Sequence, residues 1–313
     1  MSKTILFILL GVLFLQAGCG SKSSPTAAGS SGPTYTYPFS FYIGDFDTHG
    51  DGNGEFYYPA QMAVHNNALF VADGVNSRVM KFDLEGNYLG QAPVTGTDAE
   101  PFGLAIDSNG NVYVADWYNG AVYQYDANLD LLSKYVTGIS IAQVTNLAVD
   151  SSNNLYILDS GHGQFLKCSG SGSCTAFTGT GAGVGALGLP SGIVVDGSGN
   201  VYIGDEDNDR VLKFNAPSFT SAVTIVSEGT GTGQVLNPAA LALDSQGNLL
   251  VTDAIGTGRI QKFTASGTYL TTLSHPPQGT LGGGGTYGIC LDPAGDVYYS
   301  DNNREIVDVY KPY

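Results

Sequence analysis

The sequence predicts an all-β fold, a six-bladed β-propeller of four-stranded antiparallel blades. Three observations carry this. An apolar run, an acidic turn, a second apolar run and a closing aspartate recur six times, as in GLAIDSNGNVYVAD (Gly103 to Asp116) and GIVVDGSGNVYIGD (Gly192 to Asp205). The closing aspartates stand at Asp73, Asp116, Asp159, Asp205, Asp253 and Asp301, spaced by 43 to 48 residues, a period that marks repeated structural units. Residues 38–313 then divide into six portions of about 46 residues, the content of one four-stranded blade.

Each element follows from its residues. The two apolar runs of a copy are rich in Val, Ile, Leu and Tyr and are separated by a turn cluster such as Asp-Ser-Asn-Gly, which predicts a hairpin. Weak in-out alternation in the first run (Leu104, Ala105, Ile106) suits a strand covered on both faces. A third strand follows the aspartate, as in RVMKF (Arg78 to Phe82) or RVLKF (Arg210 to Phe214), and a fourth follows another turn, as at Tyr88-Leu89 and Tyr269-Leu270. Glycine-rich links ending in Pro59, Pro101, Pro190 and Pro238 lead into the next copy. No helical stretch is expected after residue 20. The sixth copy ends soon after its third strand, and Phe39-Ser40-Phe41-Tyr42-Ile43 is the candidate to complete that last blade and remove the open sheet edges.

The P-x-G-[IL]-[AV]-[VI]-D start (Pro101 to Asp107, Pro190 to Asp196), the G-N-[VL]-Y-[VI]-x-D strand and N-x-R-[VI] (Asn76-Ser77-Arg78, Asn208-Asp209-Arg210) resemble the NHL-repeat family of six-bladed propellers over about 275 residues. The Gly-His and Trp-Asp marks of WD40 and the Gly-Gly of kelch do not recur. The resemblance implies a closed disc with a central channel and a binding face; the family holds ligand-binding modules, scaffolds and enzymes, so fold does not deliver function.

Residues 1–18 read as an export signal: Lys3 at the start, an apolar stretch from Thr4 to Leu15, then Ala17-Gly18-Cys19. That stretch is too short to span a bilayer as a helix. LQAGC resembles a bacterial lipobox, with Gln16 departing from its usual aliphatic residue. The resemblance implies a lipoprotein signal peptide and lipidation at Cys19; the alternative is ordinary secretory cleavage. Residues 19–37 then form a lipidated flexible tether, with a reach of about 25 Å if coil-like, and 38–313 the propeller. The expected location is the bacterial cell envelope, lipid-anchored to a membrane and facing periplasm or exterior.

Cys168 and Cys174 flank Ser-Gly-Ser-Gly-Ser at a third-to-fourth-strand turn, in columns that other copies fill with Phe82, Tyr125 or Phe263 and Tyr88, Leu131 or Tyr269. A hairpin disulfide is the reading that fits an oxidising compartment. Cys290 shares its column with Ala63, Ala105, Ala148 and Ala242 and reads as a buried, inert small residue.

Twelve basic against 28 acidic residues leave a net charge of −16, which argues against nucleic-acid partners and against electrostatic adhesion to anionic lipid. The recurrence of the closing aspartates in every copy argues that they are structural, accepting N–H groups of the following turn or pairing with Arg78, Arg210 or Arg259. The channel mouth is expected to be lined by Gln61, Gly103, Asn146, Gly192, Ala240 and Gly288, flanked by Ala60, Phe102, Thr145, Ser191, Ala239 and Tyr287. Neither set contains a histidine or carboxylate, whereas the amidating-lyase and lactonase-type propellers that resemble this fold place metal ligands at such positions.

Residues that break the repeat are the candidates for function. Loops after the aspartates carry Trp117 and Tyr118, then His162, then Glu206, Asp207 and Asp209, a candidate patch for protein, carbohydrate or a cation; loop drift and local packing are the alternative. Asp45, Asp47 and Asp51 belong to D-x-D-x-H-G-D-G-N-G-E, similar to a calcium loop, with His49 where an oxygen ligand is wanted; calcium is the only cofactor this suggests. Gly183 to Gly188 matches G-x-G-x-x-G without opening a helix, which fails the dinucleotide reading. The four histidines are scattered, with no Ser/His/Asp or Cys/His arrangement. The function expected is a membrane-anchored, non-catalytic binding or scaffold module for protein or carbohydrate. The alternative is a lyase- or lactonase-type enzyme acting on a small exported substrate.

Overall fold

The second strand of every blade is buried along its whole length: Ala68–Asp73, Val112–Asp116, Leu155–Asp159, Val201–Asp205, Leu249–Asp253 and Val297–Asp301. This is why period-two patterning is faint in the sequence, since both faces of these strands are covered by neighbouring blades. The structure is a computed structural model and describes residues 39–44, 50–135, 138–170, 172–178, 186–253, 259–273 and 286–311. The signal, the tether, Cys19, Asp45 and Asp47 lie outside these residues.

Six antiparallel sheets are present, each a meander from hub to rim. Blade 1 comprises Pro59–His65, Ala68–Asp73, Arg78–Asp83 and Tyr88–Pro93; blade 2 Pro101–Ile106, Val112–Asp116, Ala121–Tyr125 and Leu131–Tyr135. Blade 3 comprises Val144–Val149, Leu155–Asp159, Gln164–Cys168 and Cys174–Thr178. Blade 4 comprises Pro190–Val195, Val201–Asp205, Arg210–Phe214 and Ala222–Glu228. Blade 5 comprises Leu241–Leu243, Leu249–Asp253, Arg259–Phe263 and Tyr269–Leu273. In blade 6, Ile289–Leu291, Val297–Asp301 and Ile306–Tyr310 are joined by Phe39–Ile43, which pairs antiparallel with the last of them (Phe41 opposite Val309, Ile43 opposite Val307).

Two details depart from the expected repeat. Blade 4 gains a fifth, two-residue strand, Gln234–Val235, running parallel to Ser227 and Glu228 within the glycine-rich link. Single 3-10 turns, Ser160–His162 and Glu206–Asn208, follow the closing aspartates of blades 3 and 4.

The core is a ring of interblade layers. Six apolar clusters each draw on two adjacent blades. One of them packs Met62, Val71 and Phe82 of blade 1, with Phe56 of the link before it, against Tyr298, Val307 and Val309 of blade 6. Each buried Ile, Leu, Val or Phe in these layers contributes about 1.5–3 kcal/mol. The first strand of each blade packs on that of the next, and blade 6 returns to blade 1. Gln61 Oε1 accepts the Ile289 N–H at 3.1 Å across that seam.

At the link side the first strands come very close. A Cβ on Gly103 would lie 2.6 Å from Asn146 Cα, and one on Gly288 would lie 2.0 Å from the Ala60 carbonyl oxygen. Only glycine permits that approach. The first strands of blades 1 to 4 also bulge here, shifting register between Pro59 and Met62, Pro101 and Gly103, Val144 and Asn146, and Pro190 and Gly192. A bulge frees residues from the ladder and re-aims their side chains. The freed residues are Ala60 and Gln61, Phe102, Thr145, and Ser191, all at the mouth of the channel.

Candidate functional site

The closing aspartates are built into the frame. The first carboxylate oxygen accepts a backbone N–H from the link before the blade in five of them: Tyr57 to Asp73 at 2.8 Å, Glu100 to Asp116 at 3.1 Å, Ala142 to Asp159 at 3.0 Å, Gly188 to Asp205 at 2.8 Å and Leu236 to Asp253 at 3.1 Å. The donors thus come chiefly from the preceding link, where the sequence pattern suggested the following turn. In Asp301 the donors are Asn303 and Arg304 of the following turn. The second oxygen takes the side chains of the N-x-R pattern. Asn76 and Arg78 meet Asp73 at 2.9 and 2.7 Å, Asn208 and Arg210 both meet Asp205 at 2.9 Å, and Arg259 meets Asp253 at 2.9 Å. The signature is a clamp that ties each link to its blade, and desolvation pushes the carboxyls of Asp73 and Asp253 above the usual range despite these partners.

The residue after the closing aspartate is Gly74, Trp117, Ser160, Glu206 and Asn302 in blades 1 to 4 and 6. In blade 4 this position turns a carboxylate inward. Glu206 is buried, and the Ser191 hydroxyl donates to its Oε2 in a short hydrogen bond, with the Asn237 side chain as a further partner. Desolvation, reinforced by Asp207 and Asp209, raises its carboxyl above the usual glutamate value. The expectation of a mouth without a histidine or carboxylate is therefore corrected. The lining columns hold none, but the neighbouring loop delivers one onto the bulged Ser191.

Within reach of its charge are Tyr58 of the first link and Tyr287 just before blade 6, with Phe102 of blade 2 packed on Tyr287. Tyr58 and Tyr287 lie with ring centroids 5.8 Å apart, and Phe102 lies 5.1 Å from Tyr287; all three are half-buried. The two hydroxyls hydrogen-bond to each other, and the Glu206 charge acts on both, while burial is the largest cause raising them; Tyr58 is pushed up to about 12. Asn302, 8% exposed, lies within hydrogen-bonding reach of the Tyr58 hydroxyl, and its amide has no other hydrogen-bond partner among the described residues. Behind Tyr58, the Glu305 carboxylate accepts the Tyr58 N–H, and burial lifts its pKa to about 7.

The candidate loop residues have separate fates. His162 Nδ1 lies 2.8 Å from Asp159 Oδ2, doing in blade 3 what the asparagine does elsewhere. Asp209 Oδ1 accepts the Asn237 N–H at 2.7 Å. Asp207 and Tyr118 are exposed, and Trp117 is half-buried in the column of Glu206. In the first link Asp51 is exposed. Its carbonyl and those of Gly52 and Glu55 receive the Arg78 guanidinium at 2.6, 3.1 and 2.7 Å. Among the described residues no three His, Cys, Asp or Glu side chains converge as a metal site. Cys168 and Cys174 lie opposite each other in the hairpin and form a disulfide. Cys290 is free and half-buried where full burial was expected, and desolvation raises its thiol pKa.

Comparison with known proteins agrees with this architecture. The NHL repeat model matches residues 187–214, the first three strands of blade 4. The chain carries an NHL repeat. The SMP-30/gluconolactonase/LRE-like region matches residues 62–161. Peptidyl-alpha-hydroxyglycine alpha-amidating lyase 2 of Drosophila melanogaster is 29% identical over 93 residues, spanning 29% of this chain and 23% of that protein's length. A gluconolactonase from Xanthomonas campestris superposes with a TM-score of 0.66 at 14% identity, covering 93% of this chain and 99% of its own. Regucalcin, a calcium-binding protein from Agrobacterium tumefaciens, superposes with a TM-score of 0.64 at 11% identity, covering 88% and 95%. At such identities the structural likenesses establish the fold.

Proposed function

We propose that the propeller is a binding module of the bacterial envelope, lipid-anchored through Cys19, that holds a polar group of a protein or carbohydrate ligand at the link-side mouth of its channel. The observation that carries this reading is the inward Glu206 on Ser191, with Tyr58 and Tyr287 within reach of its charge and Phe102 packed on Tyr287. Aromatic walls around a few placed polar groups are the ordinary make-up of a ligand site. Immobilised mature protein should retain a component of an envelope extract that Glu206→Ala protein loses; equal retention by both would refute the axial site. For the anchor, Cys19→Ser should release the protein from membranes, and unchanged retention would contradict lipidation.

A second reading is catalysis, and a specific observation favours it. The SMP-30/gluconolactonase/LRE-like match and the lyase and lactonase relatives are joined by a buried carboxyl whose raised proton affinity suits a general acid. Turnover of a small lactone or peptide derivative that falls about 100-fold in Glu206→Gln would move the protein into that class. Calcium, for which regucalcin gives a precedent in this fold, would use Asp45, Asp47 and Asp51. A chelator should then lower Tm, and an unchanged Tm speaks against the ion.

A further inference from the structure

We propose that the group held at the mouth is a compact organic ammonium ion, with Tyr58, Tyr287 and Phe102 as its aromatic wall and Glu206 as its counter-ion. This rests on the axial-site reading above and names its ligand class.

Most strand-ending carboxylates of this chain are buried against a cation. Asp73 is matched by Arg78, Asp205 by Arg210 and Asp253 by Arg259, while Asp301 and Asp308 share Arg304. Glu206 differs. Among the described residues it forms no ion pair, and its partners are the neutral Ser191 and Asn237 side chains. A buried carboxylate is costly unless paired, so a site that keeps one without a cation is suited to receiving one.

The aromatic cluster has the matching chemistry. Ammonium groups are attracted to ring faces within about 6 Å of the centroid. Tyr58, Tyr287 and Phe102 are half-buried and form one cluster, with centroids 5.8 Å apart for Tyr58 and Tyr287 and 5.1 Å apart for Phe102 and Tyr287. An anionic ligand would meet Glu206, with Asp207 and Asp209 adding to the same field. A purely apolar ligand would cover Glu206 and the Asn302 amide without offering either a partner. A small ammonium ion carrying a hydroxyl or carbonyl satisfies all three features, its charge toward Glu206 and its polar arm toward Asn302.

The test uses choline and its neutral carbon isostere 3,3-dimethyl-1-butanol as probes of the full mature chain. Binding is read by calorimetry and by the fluorescence of Trp117, the single tryptophan of the sequence. Choline should bind saturably and at least 10-fold more tightly than the isostere. Glu206→Gln should weaken choline by at least 10-fold and leave the isostere unchanged, whereas Glu85→Gln, in an exposed turn of blade 1, should stay within 2-fold of wild type. Thermal melts confirm that each variant is folded. Equal binding of the two probes, choline binding indifferent to Glu206→Gln in folded protein, or binding of neither probe would each overturn the ammonium assignment. If both probes bind equally and Tyr287→Leu weakens both, the axial site stands and only the ligand class fails.

Discussion

Single residues show where the repeat has been altered and at what cost. Blades 2 to 5 close their far-side turns with an asparagine amide on an aspartate: Asn111 on Asp107 at 2.7 Å, Asn154 on Asp150 and Asn200 on Asp196 at 2.8 Å, and Asn248 on Asp244 at 2.9 Å. In blade 6 the asparagine is replaced by Asp296. Its backbone N–H still reaches Asp292, but its side chain sets a second carboxylate beside the first, and burial and Asp292 raise its pKa. Asp296→Asn restores the donor and should stabilise the fold by about 1 kcal/mol. The Lys311 contact it gives up is largely exposed and worth little. Urea denaturation measures this, and an unchanged midpoint would contradict the reading. Glu305 gives a pH signature. Its folded pKa is raised to about 7 from 4.5, so the native state holds a proton that the unfolded chain releases between those values. Stability from this group is complete below pH 4.5 and is lost as pH rises through 7. Glu305→Gln should flatten the fall in Tm across this window and raise Tm at pH 8; a variant with the wild-type slope would contradict it.

At the scale of elements, the clamp and the hairpin bridge make separate contributions. Asp205→Ala leaves Arg210, the Gly188 N–H and Asn208 without their acceptor. The loss should be about 3 kcal/mol, read as a lower denaturation midpoint. The Cys168–Cys174 bridge closes a short loop at the rim. Its removal should cost about 2 kcal/mol in the chain-entropy view, and mapping without reduction should recover both cysteines in one linked peptide. Elements were also the most legible level of the sequence. The hairpins, the N-x-R clamp and the paired cysteines each occupy a fixed column of a repeat read six times over. The bulge at Ser191 was not legible, because a bulge depends on how neighbouring first strands crowd the hub, and a strand's own residues do not report that.

At the scale of the molecule, the ring depends on the seam between blades 6 and 1. Gln61 meets Ile289 at the hub, Phe56 and Phe82 pack on Val307 and Val309 in the layer, and Phe39–Ile43 lies against Ile306–Tyr310 at the rim. Deleting residues 38–43 should expose that sheet edge, lower Tm by several degrees and promote self-association; a monomer of unchanged Tm would show the rim strand to be dispensable. The disc and its blade count were readable from the spacing of six aspartates. The site was readable only in part. Glu206 stood out as a repeat-breaking loop residue, but its inward turn comes from the 3-10 turn at Glu206–Asn208 and from Ser191, residues of two different strands' ends. Asn302 gave no signal until the column following the aspartates was known to face the hub. Selective carbon-13 labelling of glutamate carboxyls, with the Glu206 resonance assigned by its absence in Glu206→Gln, tests the inward carboxylate most directly. That resonance should titrate above the usual glutamate value and move when Ser191 is changed to Ala. A resonance titrating at the ordinary value and indifferent to Ser191→Ala would place Glu206 in solvent and contradict the site.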